Sequence, residues 1–278
     1  MVKGLVLVLL CAFLLHAESK DSQEAVLNKV QTLLTPKSFE ENKAFLKIIF
    51  SPPQKFMKND RVDSVKIIEM LKENGLLKLF FDKPTRMELE FRTSGTPLFF
   101  VKIVADTLRN IGYYRYVTKS STYNSSEFSW SVSIVSEYSA DPMILQKELQ
   151  KSGCDIVDIE RKNPTKWLYV IDMQHARLPV TSLQSGHILT LRRSLEPHWL
   201  NVSQIRKIRF VSKGRNHWYP YLSFYDAHLH LVKVLQRDKR SYDITVVVPK
   251  TAVYLKIADI YTMKNIKDPL VLYPKGAR

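Results

Sequence analysis

Residues 96–112, TPLFFVKIVADTLRNIG, decide the fold. Thr96 stands where a helix takes its cap, Pro97 fills the first helical position, and Gly112 follows the last turn. Proline has a fixed φ and no N–H, which suits the start of a helix; glycine suits the left-handed residue that ends one. Between them Val101, Val104, Leu108 and Ile111 recur at helical spacing along one face. Residues 141–153, DPMILQKELQKSG, repeat the punctuation with Asp141, Pro142 and Gly153. Residues 63–75, DSVKIIEMLKENG, share the Asp63 cap and the Gly75 stop without the proline, and carry Val65, Ile68 and Leu71. Leu76, Tyr113 and Cys154 directly after the glycines suit the hydrophobic contact of a Schellman motif.

Working outward from Asp63, the spacing predicts three copies of one unit: capped helix, glycine, strand, turn, strand. The strands alternate. Met87, Leu89 and Phe91 oppose Glu88, Glu90 and Arg92, and Phe128, Trp130, Val132 and Ile134 oppose Ser129, Ser131 and Ser133. Trp167, Tyr169, Ile171 and Met173 form the apolar face of the last strand. Alternation of this kind belongs to an antiparallel sheet with helices on one face and solvent on the other. From Met87 to Arg161 the order is strand, helix, strand, strand, helix, strand, which resembles the ferredoxin-like split βαβ arrangement. That resemblance implies no chemistry.

Before this domain come two predicted helices. Asp21-Ser22 caps a run with Val26, Leu27, Val30, Leu33 and Leu34 that closes at Pro36, and Ser38 with Glu41 forms a capping box for a second helix through Ile49. Gln54 to Asp60 reads as a polar linker. After Gln174 the helical period stops and His175 to Ser185 reads as a second linker. Short strands are expected at His187–Arg192, Ile205–Val211, Tyr221–Leu235, Tyr242–Val248, Val253–Ile257 and Pro269–Tyr273, a pattern of β-sandwiches. The expected class is α+β: tandem αββ units followed by an all-β sandwich. Its segments are a signal peptide at 1–17, a helical segment and linker at 18–60, an αββ-repeat domain at 61–174 and a β-sandwich domain at 186–278.

The leader rests on Lys3, the apolar run Leu5 to Leu15, and the change from His16-Ala17 to Glu18-Ser19-Lys20. This is the layout of a secretory signal peptide cut after Ala17. A periplasmic or secreted location follows, and no later stretch reaches the ~20 apolar residues of a membrane helix. Cleavage would remove Cys11 and leave Cys154 without a partner for an internal disulfide. Forty-two Lys and Arg against 27 Asp and Glu give a net charge of +15. Such a surface attracts polyanions. Export makes nucleic acid a poor partner and favours an envelope protein or an acidic glycan. With its leader, its αββ units and the closing run Tyr254-Leu-Lys-Ile-Ala-Asp-Ile-Tyr261, the chain resembles uncharacterised secreted or periplasmic proteins of Helicobacter-type bacteria. That resemblance implies an exported protein and brings no activity with it.

Three constellations bear on chemistry. Asp226, His228 and His230, each two apart, would share one face of a strand and offer zinc a carboxylate and two imidazoles, with His217 or His198 as a further ligand. The run also resembles the Asp-x-His-x-His signature of amidohydrolase-type enzymes. Those place it on the first strand of a barrel of ~250 residues, and too little chain follows His230 for that. Trp199, Trp218, Tyr219 and Tyr221, with Phe224 and Tyr225 nearby, are residue types that stack on sugars and anchor interfaces. Pro220 among them suggests a loop or sheet edge. Arg206, Arg209 and Arg215, with Lys207, Lys213, Arg192 and Arg193, supply positive charge for an acidic ligand. On a strand Lys207 and Arg209 share a face and Arg206 opposes them. No nucleophile elbow, H-E-x-x-H helix or phosphate-cradling glycine loop occurs, so no catalytic residue and no cofactor is assigned. The leading expectation is a non-catalytic, exported envelope adaptor. A carbohydrate-binding protein comes next, and a metal-dependent hydrolase built on Asp226, His228 and His230 last.

Overall fold

The computed structural model describes residues 21–277, so the expected signal peptide at 1–17 lies outside the described residues. The fold is mixed α and β, with six helices and several sheets among the described residues. It divides into two compact units that meet at Ala176 and Arg177.

The first unit starts with helices α1 (21–33), α2 (Pro36–Glu41) and α3 (Lys43–Ile49). Thr35, not Ser38, caps α2: its side chain accepts from the Ser38 N–H at 3.2 Å, and Pro36 takes the first helical turn that proline favours. Val26, Val30 and Leu33 of α1 are fully buried. Lys29 pairs with Asp158 at 2.5 Å and the Arg161 guanidinium donates to the Leu33 carbonyl at 2.8 Å, so this segment packs on the domain it precedes. The expected linker before Asp63 is ordered too. A short 3-10 turn (Pro53–Phe56) leads into a small hairpin, β1 (Met57–Lys58) and β2 (Arg61–Val62), whose turn residues Asn59 and Asp60 both have positive φ. Such pairs of left-handed residues make the tight hairpin turns that match strand twist.

Helices α4 (Ser64–Glu73), α5 (Pro97–Asn110) and α6 (Pro142–Lys151) end as the glycines predict. Gly75, Gly112 and Gly153 all have positive φ. The next N–H in each case returns to the helix: Leu76 to Leu71 (2.9 Å), Tyr113 to Leu108 (2.8 Å) and Cys154 to Leu149 (3.2 Å). These bonds complete Schellman motifs. Only α5 and α6 are followed by hairpins, β4 (Val117–Tyr123) with β5 (Phe128–Tyr138) and β6 (Asp155–Asn163) with β7 (Lys166–Asp172). After α4 there is one long strand, β3 (Phe80–Thr93), in place of the expected strand, turn and strand, and its pairing is irregular between Phe80 and Thr85.

The sheet order is β4-β5-β3-β7-β6. A split βαβ sheet would set β6 beside β3. Here β7 takes that place, parallel to β3, and β6 is displaced to the edge. The register lines up Trp130, Phe91 and Tyr169 across β5, β3 and β7, and Phe91 stacks on Tyr169 with centroids 5.5 Å apart. Phe100 of α5 meets Phe128 edge-on, fixing the helix to this apolar face. On the other face Glu90 gathers Arg92 (2.7 Å), Lys162 (3.0 Å) and Ser129 (3.0 Å).

The second unit contains a five-stranded sheet, β13-β12-β15-β10-β8, and a four-stranded one, β14-β11-β16-β9. The first comprises β8 (Thr181–Ser182), β10 (His198–Asn201), β12 (Pro220–Tyr225), β13 (Leu231–Gln236) and β15 (Tyr254–Asp259); the second comprises β9 (Leu189–Leu191), β11 (Ile205–Ser212), β14 (Asp243–Val247) and β16 (Leu270–Ala277). One core joins both, with Leu222, Phe224 and Leu255 from one sheet and Ile208, Phe210 and Leu272 from the other. Part of the expected linker 175–185 is strand, since Thr181–Ser182 pairs in parallel with β10. The expected single strand Tyr221–Leu235 is a hairpin, β12 and β13, folded at residues 226–230.

Candidate functional site

The most site-like feature of the described residues lies in the first unit, where α5 ends. Gly112, at φ +104°, turns the chain out of the helix, and Tyr113-Tyr114-Arg115-Tyr116 runs on to β4 without regular structure. Strand β5 overshoots β4. Their pairing begins only at Val117 opposite Ser133, whereas β5 remains paired to β3 as far as Tyr138. The loop and the overshooting strand wall two adjoining cavities of about 640 and 710 Å³, which share Tyr113, Tyr114, Arg115 and Val135. Large exposed apolar side chains rim them: Tyr114, Val117, Val135, Tyr138 and Ile144. Contiguous apolar surface with tyrosine and arginine is the composition of interaction sites.

The polar groups are placed unevenly. Arg86, Arg109, Arg115 and Lys119 line the larger cavity and no carboxylate does. Arg109 is partly satisfied by Asp106 at 3.6 Å, while Arg86, Arg115 and Lys119 make no ion pair among the described residues. Asp141 lines the smaller cavity but is already engaged, capping α6 through the Met143 N–H (3.0 Å) and pairing with Lys72 (2.7 Å). The Tyr113 hydroxyl donates to the Tyr138 carbonyl at 3.1 Å. Burial raises its pKa above the ordinary phenol value, keeping it a donor. Tyr116 is raised by burial as well and meets Trp130 edge-on at 5.7 Å. Ser139, in the wall of the smaller cavity, is buried, and its hydroxyl has no hydrogen-bond partner among the described residues.

The aromatic residues singled out in the second unit are dispersed. Trp218 is fully buried; its ring lies against Phe210 and its indole N–H donates to the Ala258 carbonyl at 2.9 Å. It is a core residue and not an exposed contact. Pro220 explains the misreading: it opens β12, a strand paired on both sides, at the first position where its missing N–H is tolerated. Tyr219 is half-buried against Tyr261, and Tyr221 packs on the core. Trp199 is half-buried beside Tyr225, centroids 5.2 Å apart, with the Lys256 ammonium 5.8 Å from its ring. The arginines are not one patch either. Arg209 is held by Asp243 at 2.5 Å across β11 and β14, Arg215 by Asp268 at 2.8 Å, and Arg206 is exposed.

Asp226, His228 and His230 do not sit on a strand. They form the turn between β12 and β13, where Leu229 takes a left-handed φ of 59° and is buried. One Asp226 oxygen accepts the N–H groups of His228 (2.8 Å) and His230 (2.9 Å), and the other meets the His230 ring nitrogen at 3.0 Å. Slight burial pulls its pKa upward, but those hydrogen bonds hold it below the ordinary aspartate value. The carboxylate is spent on the turn. No group of three or more His, Cys, Asp or Glu among the described residues is arranged to hold a metal ion. His198 lies elsewhere, on β10, with its pKa lowered by burial.

The cleft residues were not singled out from the sequence, although Tyr113-Tyr114-Arg115-Tyr116 is a visible signal: three tyrosines and an arginine directly after a helix-ending glycine. Arg86, Arg109 and Val135 join that run only through the fold. No known protein family, curated protein or solved structure matches the chain.

Proposed function

We propose that this is an exported, non-catalytic envelope protein, periplasmic or released, that binds another envelope protein through the tyrosine- and arginine-lined cleft of its first unit. The observation that carries the reading is the coincidence of exposed Tyr114, Val117, Val135, Tyr138 and Ile144 with three cations that lack an ion pair among the described residues. Apolar side chains of this size are seldom left clustered on a surface that has no partner. Asp141, the one carboxylate of the two cavity walls, is committed to a helix cap and Lys72, which leaves the tyrosines and cations to face a ligand. In the second unit, two sheets around one core read as a β-sandwich serving as a scaffold. A second reading, capture of an acidic glycan, is favoured by Trp199 beside Tyr225 and Lys256.

The test is a photo-crosslinking residue at position 114 of the exported, tagged chain in living cells, with position 195, also exposed, as control. A discrete protein adduct at 114 that is missing at 195 is the expected result. Adducts at neither position, or identical adducts at both, would remove the reading. Recovery of cell-wall polysaccharide, lost in Trp199→Ala, would favour the glycan alternative.

A further inference from the structure

The cleft borders an unfinished sheet edge. From Ile134 to Tyr138, β5 has β3 on one side and, among the described residues, no strand on the other. Backbone groups along such an edge want a partner and will pair with any extended chain that reaches them. Side chains here stand in for one. The Tyr113 hydroxyl takes the Tyr138 carbonyl (3.1 Å), and the Ser136 hydroxyl accepts the Tyr138 N–H (3.0 Å). The two cavities lie along this edge, and the buried Ser139 hydroxyl at its end has no partner among the described residues.

Resting on the binding reading above, we infer that the occupant is an extended, acidic polypeptide segment that adds as a strand beside Ile134–Tyr138, in line with β4. Five residues at about 3.3 Å each give a run of about 17 Å, so a five- to seven-residue segment fills it. Alternate side chains of an added strand point to one face. Acidic ones would meet Arg86, Arg115 and Lys119, which face no carboxylate across the larger cavity. The intervening apolar ones would turn to the helix-bearing face, toward Tyr114 and Ile144. Main-chain pairing supplies affinity and these positions supply selectivity, the division of labour in strand addition. An acidic glycan would satisfy the arginines and leave the strand edge unused, which is why a peptide fits the observations better.

The test uses the full chain and a fluorescein-labelled decapeptide of alternating glutamate and valine, followed by anisotropy. Three comparisons accompany it: the same peptide N-methylated at alternate residues, its lysine–valine counterpart, and an oligogalacturonate competitor. The acidic peptide should bind, with the N-methylated and lysine forms at least about tenfold weaker. The double variant Arg86→Glu/Arg115→Glu should weaken binding by a similar factor with an unchanged circular dichroism spectrum, and Arg86→Lys/Arg115→Lys should retain most of it. No binding of the acidic peptide up to about 1 mM, equal binding of the N-methylated form, or more effective displacement by oligogalacturonate would each overturn the inference. A protein adduct at position 114 in cells, with no strand-dependent peptide binding, would leave the binding reading standing and sink this one alone.

Discussion

Asp259→Ala should lower the stability of the second unit by about 3–5 kcal/mol. The buried carboxylate is a hub: one oxygen accepts the Tyr219 N–H (2.8 Å), and the other accepts the N–H groups of Tyr261 (2.9 Å) and Thr262 (2.9 Å) and the Asn265 amide (3.0 Å). Hydrogen bonds to a charged acceptor contribute about 1.5–3 kcal/mol each, but they do not simply add. Tyr261 and Thr262 are exposed, so their donors regain water when the carboxylate is removed. Tyr219 and Asn265 are half-buried and keep most of their loss, which gives the quoted range. With a urea m-value of about 1–1.5 kcal/mol/M for about 100 residues, the midpoint should fall by about 2–5 M. Hydrogen exchange in urea, read on peptides from β12 and β15, measures it directly. Asp259→Asn keeps one acceptor and turns an amide toward the Tyr219 N–H, so its loss should be about 1–2 kcal/mol. A midpoint shift under about 0.5 M for the alanine variant would refute the hub argument.

Three further outcomes are expected. Gly112→Ala meets no atom within 4 Å of the added Cβ, so its cost is the left-handed backbone alone, about 1–2 kcal/mol, seen as a lower thermal midpoint; an unchanged midpoint would show that the turn relaxes freely. Glu90 and Asp158 are drawn upward by burial, yet their hydrogen bonds, from Lys162 and Arg92 to one and from Lys29 and Ser64 to the other, hold both pKa values below the ordinary glutamate and aspartate values. Folded-state values below the unfolded ones mean stability that is present above those pH values and lost as pH falls through the folded values. Urea midpoints should therefore drop steeply below about pH 4.5, and Glu90→Gln should flatten that slope; an unaltered slope would contradict the assignment. Asp226→Ala should cost about 1 kcal/mol by freeing the turn, while calorimetric titration with zinc should give the same trace for wild type and His228→Ala. Micromolar zinc binding lost in that variant would restore the metal reading.

Local punctuation was the most legible layer of this chain. Pro97, Pro142 and the three glycines mark helix ends by backbone rules that need no tertiary context, and the structure places Schellman bonds at all three. Pairing order was harder, because alternation says which face of a strand is buried and nothing about its neighbour. Trp167 and Tyr169 read as an apolar strand face, and only the register shows them beside β3. The same limit misdirected the site. Trp218 and Tyr219 adjoin in sequence, but the irregular segment leading into β12 sends one into the core and leaves the other half-buried. Asp226, His228 and His230 alternate as strand residues would, and a left-handed Leu229 between them makes a turn instead. The cations of the cleft come from β3, α5, the loop that follows it and β4, so they could not be told from ordinary solvated charge.

The parallel pairing of β3 with β7 has a consequence for how the first unit is made. Its central strand is synthesised first, but the partners for its two sides are supplied only at residues 128–138 and 166–172. Until Asp172 has emerged, Phe91 lacks Tyr169, and one whole side of β3 is an exposed edge. Closing such distant contacts is slow and leaves apolar surface bare in the meantime. Completion of the sheet therefore waits for residues 166–172, and a chain moving through a narrow channel could not close it until nearly the whole unit had passed.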